Sequence, residues 1–202
     1  MTSTSIKDAL AKWSEENDKA DPTKSTSVEL QFMNPPIEKM DNALSTLTKC
    51  EFLSLSTNNI EQITGLQGMK CLKIISLARN SIKNLNGLQA VAKTLEQLWI
   101  SYNEIERTKG IEVFQNLTLL SMQFNVVKDW SEFNRLSQLT KLTDLYFMGN
   151  IINEEMEELD WLKTGKKKIP QLETLEGHFV MGSQIHIDEP TEDEDKEKEP
   201  EE

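Results

Sequence analysis

The sequence predicts an α/β solenoid: stacked turns with a parallel β-sheet on the concave face and a helical or irregular convex face. Three observations predict it. A string recurs, as CEFLSLSTNNI at residues 50–60, LKIISLARNSI at 72–82 and LEQLWISYNEI at 95–105. Its spacing is regular, with Asn58, Asn80, Asn103, Asn125 and Asn150 standing 22 to 25 residues apart. Apolar residues also fall on alternate positions inside each string, the period of a short strand with one buried face.

The shared pattern is L-x-x-L-x-L-x-x-N-x-I, the signature of a leucine-rich repeat, with Cys50 standing once for the first Leu. LTLLSMQFNVV carries it to Asn125 and LTDLYFMGNII to Asn150. A period of this length is the mark of such repeats. The pattern sends Leu53 and Leu55 inward, then Ile75 and Leu77, Leu98 and Ile100, Leu120 and Met122, Leu145 and Phe147. The asparagine turns the chain at the strand end, and its amide can pair with backbone groups of the neighbouring turn. Asn58, Asn80, Asn103, Asn125 and Asn150 therefore form a structural ladder. Ile60, Ile63 and Leu66, then Ile82, Leu85 and Leu88, return along the convex side. No turn buries its own face, so stability comes from stacking on neighbours.

The elements follow in order. Residues 1–27 read as an N-terminal cap helix and linker. SIKDALAKWSEEND (5–18) opens with Ser5 and Asp8 as a capping box and sets Ile6, Ala9, Leu10 and Trp13 on one face. That face either covers the open end of the first turn or takes a partner. Residues 28–150 hold about six repeats. The first is degenerate: Leu30 and Phe32 take the inward strand positions, and Pro35 stands where Asn is expected. Thr108 replaces an apolar convex residue. The long gap before Asn150 holds a short helix that packs inward through Trp130, Phe133 and Leu136. Residues 151–184 form the C-terminal cap, with one more strand around Leu172 and Leu175 and an end at Gly177. Lys163, Lys166, Lys167 and Lys168 are either a solvated face or a contact to an acidic partner surface.

The formal net charge is −12. Between Asp188 and Glu202 ten acidic residues face two lysines, so this stretch carries −8 of that charge. Residues 185–202 read as an acidic disordered tail. A chain this acidic is a poor partner for a nucleic-acid backbone. No apolar segment reaches 18 residues, so no membrane partner is expected. Cys50 and Cys71 are expected to be small buried hydrophobes, not a disulfide or a metal site. His178 and His186 lack ligating neighbours, and no phosphate-cradling loop, nucleophile elbow or metal-ligand spacing occurs. The expectation is a protein that is not an enzyme, with no cofactor.

The informative surface is the concave one. Outward strand positions, with the residues just before each Asn, place Phe52, Ile74, Trp99, Tyr102, Leu119, Phe124, Tyr146 and Met148 on or beside the solvent-facing sheet, with serines between them. A contiguous apolar patch on a soluble protein marks a partner site, and Trp and Tyr dominate interface energetics.

PPIEKMDNALSTL (35–47), LSTNNIEQI (55–63) and LEQLWISYNEI (95–105) resemble the leucine-rich-repeat light chains of axonemal outer-arm dynein. The likeness covers roughly residues 4–150. It implies a six-repeat solenoid with helical caps in the cytoplasm and cytoskeleton of the cilium axoneme. It also implies a monomer within a hetero-complex, bound to an outer-arm dynein heavy chain at the stalk microtubule-binding domain and tuning ciliary motility. Tubulin, as the microtubule, is a further candidate partner. Where that family has G-N-P-L-Y, this chain has Gly149-Asn150-Ile151-Ile152-Asn153, and the acid-rich end replaces a helical segment with arginines. An acidic-tailed leucine-rich-repeat regulator of a phosphatase, or a histone-binding chaperone, would share the body and the tail.

Overall fold

A computed structural model describes residues 3–181. The predicted acidic tail lies outside the described residues, as do residues 182–184 of the predicted cap and His186. A first helix, α1 (Ile6–Glu16), precedes β1 (Ser27–Glu29), β2 (Phe52–Ser54), β3 (Ile74–Ser76), β4 (Gln97–Trp99) and β5 (Leu119–Ser121). Then come α2 (Trp130–Arg135), β6 (Asp144–Tyr146), α3 (Glu158–Lys168), β7 (Thr174–Leu175) and β8 (His178–Phe179). The strands form one sheet in sequence order, parallel from β1 to β7, with β8 antiparallel at the end. This is the α/β solenoid that the repeats predict.

Register follows from the inward residues. Leu53 pairs with Val28 and with Ile75, and the row continues through Leu98, Leu120, Leu145 and Leu175. Every member of that row is fully buried. A second row of Leu30, Leu55, Leu77, Ile100, Met122 and Phe147 lies just beyond the strands and is equally buried. Each side chain contributes about 1.5–3 kcal/mol on leaving water. A slip of one residue would forfeit both rows at once.

The strands are short because each ends in a turn that the ladder holds. The Asn103 side chain accepts from Ile82 N at 2.9 Å and donates to Leu77 O at 3.0 Å and Ile100 O at 3.1 Å. Thus one amide ties its own turn to the one before it at two points. Asn58, Asn80, Asn125 and Asn150 repeat the arrangement, receiving the amides of Ile37, Ile60, Ile105 and Val127. At the last rung Asn153, itself buried, accepts from Asn150 N at 3.0 Å and closes the series.

The convex side is mostly irregular, with short 3₁₀ turns at Asn42–Thr46, Leu88–Val91 and Ile111–Val113. The longest gap between ladder asparagines, 125 to 150, makes room for α2. Phe133 and Leu136 are buried beneath it, while Trp130 is only half-buried. Thr108 is polar at an apolar position for a reason. Its amide donates to Glu132 Oε2 at 2.8 Å and its hydroxyl to Glu132 O at 2.7 Å, tying α2 to the turn before it.

Both ends of the coil are covered. Ser5 caps α1 by accepting from Asp8 N, and Ile6, Ala9, Leu10 and Trp13 are buried against the first turn. At the other end Trp161 of α3 is fully buried, with its ring centroid 5.1 Å from Phe133 and 5.9 Å from Phe147. The lysines of the basic run and the acidic residues before it share α3, acids in the first turn and lysines in the last, the order the helix dipole favours. Lys166 donates to Pro170 O and Leu172 O, so it closes the helix end.

The first turn corrects one expectation. Val28 and Leu30, not Leu30 and Phe32, point inward, and Phe32 is 70% exposed. Pro35 is not the ladder position; counting from the Val28–Leu53 pair, Met33 is. Two extra residues between Phe32 and Ile37 shift the phase, while Ile37 still presents its amide to Asn58 as Ile60 does to Asn80. A second correction concerns the cysteines. Cys50 is buried, and burial pushes its thiol up to about 11, but Cys71 is only half-buried.

Replacing Asn103 by Ala leaves three buried backbone groups without their partner. We expect a loss of about 1–3 kcal/mol or more in chemical denaturation, with little change in secondary structure.

Candidate partner-binding face

On the concave face, side chains stand in rows across the strands. One row runs Phe52, Ile74, Gln97, Leu119, Asp144 and Thr174. The next runs Ser54, Ser76, Trp99, Ser121 and Tyr146. Met148 lies two residues beyond Tyr146 on the same side. All eight predicted partner-binding residues have solvent access: Tyr102 and Phe124 are 41% and 47% exposed, and the other six are half-buried.

The aromatic side chains make two separate pairs. Trp99 and Tyr146 belong to strands two apart yet stack at 6.4 Å between centroids. They lean over the intervening strand, where Ser121 is left only 5% exposed. Ser54 and Ser101 are also buried, each 7% exposed. Their hydroxyls are satisfied locally where geometry allows, as between Ser101 and Ser121 at 2.7 Å. Ser121 is thus the floor beneath the Trp99–Tyr146 pair, while Ser56 and Ser76 stay half-buried between the rows.

The second pair lies along the strand-end rim. The residue before each ladder Asn turns the chain with positive φ: Thr57, Arg79, Tyr102, Phe124 and Gly149. Neighbouring side chains at this rung therefore meet. Tyr102 and Phe124 stack at 4.4 Å, and the Arg79 guanidinium lies 4.2 Å from the Tyr102 centroid. Phe124 lies over Gly149, where a Cβ would come within 2.5 Å of the ring. Glycine is needed here for its φ of +79° and for the space the ring occupies. Arg79, the residue before Asn80, is not among the eight residues that the sequence singles out. Its rung, shared with Tyr102, was the available signal. Phe32 occupies the same rung in the first turn and was missed through the phase error there.

Glu176 was also missed. With Gly177 it makes the two-residue turn between β7 and β8, both at positive φ, the geometry of a type I′ hairpin. Its Oε1 accepts from Phe147 N at 2.6 Å, Met148 N at 2.9 Å and Trp161 Nε1 at 3.2 Å. Its Oε2 accepts from Gln123 Nε2 at 3.0 Å. One carboxylate thus satisfies the strand-end amides that a further repeat would have taken and fixes Met148 at the margin of the face. Burial holds its pKa above the usual 4.5, against the pull of these four donors.

The face carries two aromatic stacks and one guanidinium on a ring. Each aromatic can bury about 150–250 Å². No group of three or more metal-ligating side chains occurs among the described residues. His178 Nε2 lies 3.0 Å from Glu158 Oε1, a contact within the C-terminal cap.

Fold and face together define a leucine-rich-repeat solenoid with an aromatic concave surface. Solved structures agree on the fold. An internalin (inlF) of Listeria monocytogenes superposes with a TM-score of 0.56 at 24% identity, covering 69% of this chain and 37% of its own. A leucine-rich-repeat protein of Leptospira interrogans gives 0.53 at 21%, over 69% and 40%. No protein-family model matches. Whole relatives are more informative. Dynein axonemal light chain 1 of Ciona intestinalis is 53% identical over 88% of this chain and 94% of its own length. The Danio rerio protein of that name is 50% identical, over 88% and 93%, and the Chlamydomonas reinhardtii one 46%, over 86% and 89%. The chain belongs to the dynein axonemal light chain 1 family.

The raised pKa of Glu176 gives a signed test. Burial favours its neutral form more in the folded chain than in the unfolded one, so its contribution is present below the usual 4.5 and is lost as pH rises through the folded value. Relative to Glu176→Gln, the native chain should gain stability as pH falls from neutral toward 4.5 in parallel denaturant titrations. A relative loss would show that the four donors outweigh burial.

Proposed function

We propose that this chain is a dynein light chain of the axonemal cytoskeleton. It docks an outer-arm heavy chain on its concave face, at the microtubule-binding domain of the stalk, and so tunes ciliary motility. Membership of the family supports the light-chain role and the axonemal location. The observation that carries the docking site is the pair of aromatic stacks, Trp99 on Tyr146 and Tyr102 on Phe124, held outward on a rigid parallel sheet. Phe52, Ile74, Leu119 and Met148 supply apolar area around them. Preorganised aromatic side chains lose little entropy on binding and act as the centres of interfaces. A position beside the stalk tip would also bring tubulin within reach as a second contact. The reading as an acidic-tailed regulator of a phosphatase or a histone has no counterpart in the names of the relatives above.

Trp99→Ala combined with Tyr146→Ala tests the site. Truncating two central aromatic residues should weaken binding to a heavy-chain stalk fragment by roughly 100-fold or more. The melting temperature should barely move, because both side chains lie outside the coil. Unchanged affinity in isothermal titration would remove the concave face from the proposal.

A further inference from the structure

The edge of the sheet where the strands begin is unlike the rest of this acidic protein. A shallow cleft there is lined by Lys70, Lys73 and Lys93, with Glu51, Glu96 and Asn116. Lys141 closes one end, its Nζ 2.8 Å from Asn116 Oδ1, and Lys49 precedes Glu51 at the other. Lys73 is held by Glu51 at 2.7 Å. Lys49, Lys70, Lys93 and Lys141 are exposed and make no ion pair among the described residues. Five lysines therefore meet three carboxylates, Glu51, Glu96 and Glu173, on the strand-start edge of a chain whose net charge is −12.

The hairpin at the end of the sheet directs the chain back to this edge. β7 runs parallel to the repeats, and β8 reverses, so that Val180 N donates to Glu173 O at 2.9 Å. Glu173 holds the position in its turn that Glu51, Lys73 and Glu96 hold in theirs. The described chain thus stops, at Met181, on the strand-start side. The residues that follow, Asp188 to Glu202, include ten carboxylates and two lysines. Six residues lie between Met181 and Asp188, and the seven chain steps reach up to about 25 Å. Four strand steps from β7 to β3, at about 4.8 Å each, cover less than that.

We infer that the acidic segment Asp188–Glu202 docks in cis on the lysine-rich edge formed by Lys49, Lys70, Lys73, Lys93 and Lys141. The contact is electrostatic and exposed, so it adds no core and is screened by salt. It covers an edge that an acidic segment of another protein would otherwise take, and such a ligand must displace the tail. The lysines of α3 are the nearest competitor, but Lys166 is tied to two carbonyls and Lys168 lies over the Trp130 ring. This inference does not depend on the concave face, which lies on the other side of the strand starts from the convex turns.

A spin label tests it in the full chain. Asp195→Cys with Cys71→Ser gives one accessible thiol, since Cys50 is buried. At about 0.1 M salt, amide signals of residues 70–73 and 93–96 should broaden several-fold more than those of α1, and about 1 M salt should abolish the difference. Lys70→Glu with Lys93→Glu should abolish it at low salt as well. Broadening centred on residues 163–168, spread evenly over the surface, or unchanged in the charge-reversed variant overturns the inference.

Discussion

A parallel sheet of three-residue strands leaves many backbone groups stranded where each turn begins, and one side chain per turn resolves this. The ladder asparagine accepts an amide from the turn before it and donates to carbonyls of its own turn and the previous one. Without it, strand-end backbone groups would be buried unpaired, offsetting part of what burying the leucines contributes. This constraint fixes the period, because the amide must meet its partners at the same height in every turn. It also fixes the phase, because the residue before the asparagine must take the left-handed turn and swing its side chain to the rim.

The aromatic concave face is a consequence of that phase. Once the leucines go inward, the alternate residues face out in rows about 4.8 Å apart. Aromatic side chains at equivalent positions then meet: Tyr102 and Phe124 come from adjacent turns, Trp99 and Tyr146 from turns two apart. Small residues complete the arrangement. Ser121 lets Trp99 and Tyr146 close over it, and Gly149 leaves room for Phe124. The ladder holds the turns in register, and the rows bring the aromatic side chains together.

Much of this was legible in the sequence because the repeat has two independent signals, alternation and the asparagine, that agree at five turns. Where one signal was lost, the reading failed. In the first turn no asparagine marks the strand end, two extra residues precede Ile37, and Phe32 was assigned inward although it is exposed. Arg79 was legible as the residue before Asn80, but its stacking on Tyr102 depends on the left-handed turn at both residues. Glu176 was hidden because its role is to end a pattern, and an ending has no period. The covering of Ser121 could not be read either, since it arises from side chains that lean across a neighbouring strand.

The central claim concerns the concave face. Hydroxyl-radical footprinting of the chain, alone and with a heavy-chain stalk fragment, measures it directly. The account predicts that oxidation of Trp99, Tyr102, Phe124, Tyr146 and Met148 falls on binding while that of Trp130, at the far side of the coil, is unchanged. Protection of Trp130 with continued oxidation of Trp99 and Tyr146 would contradict it.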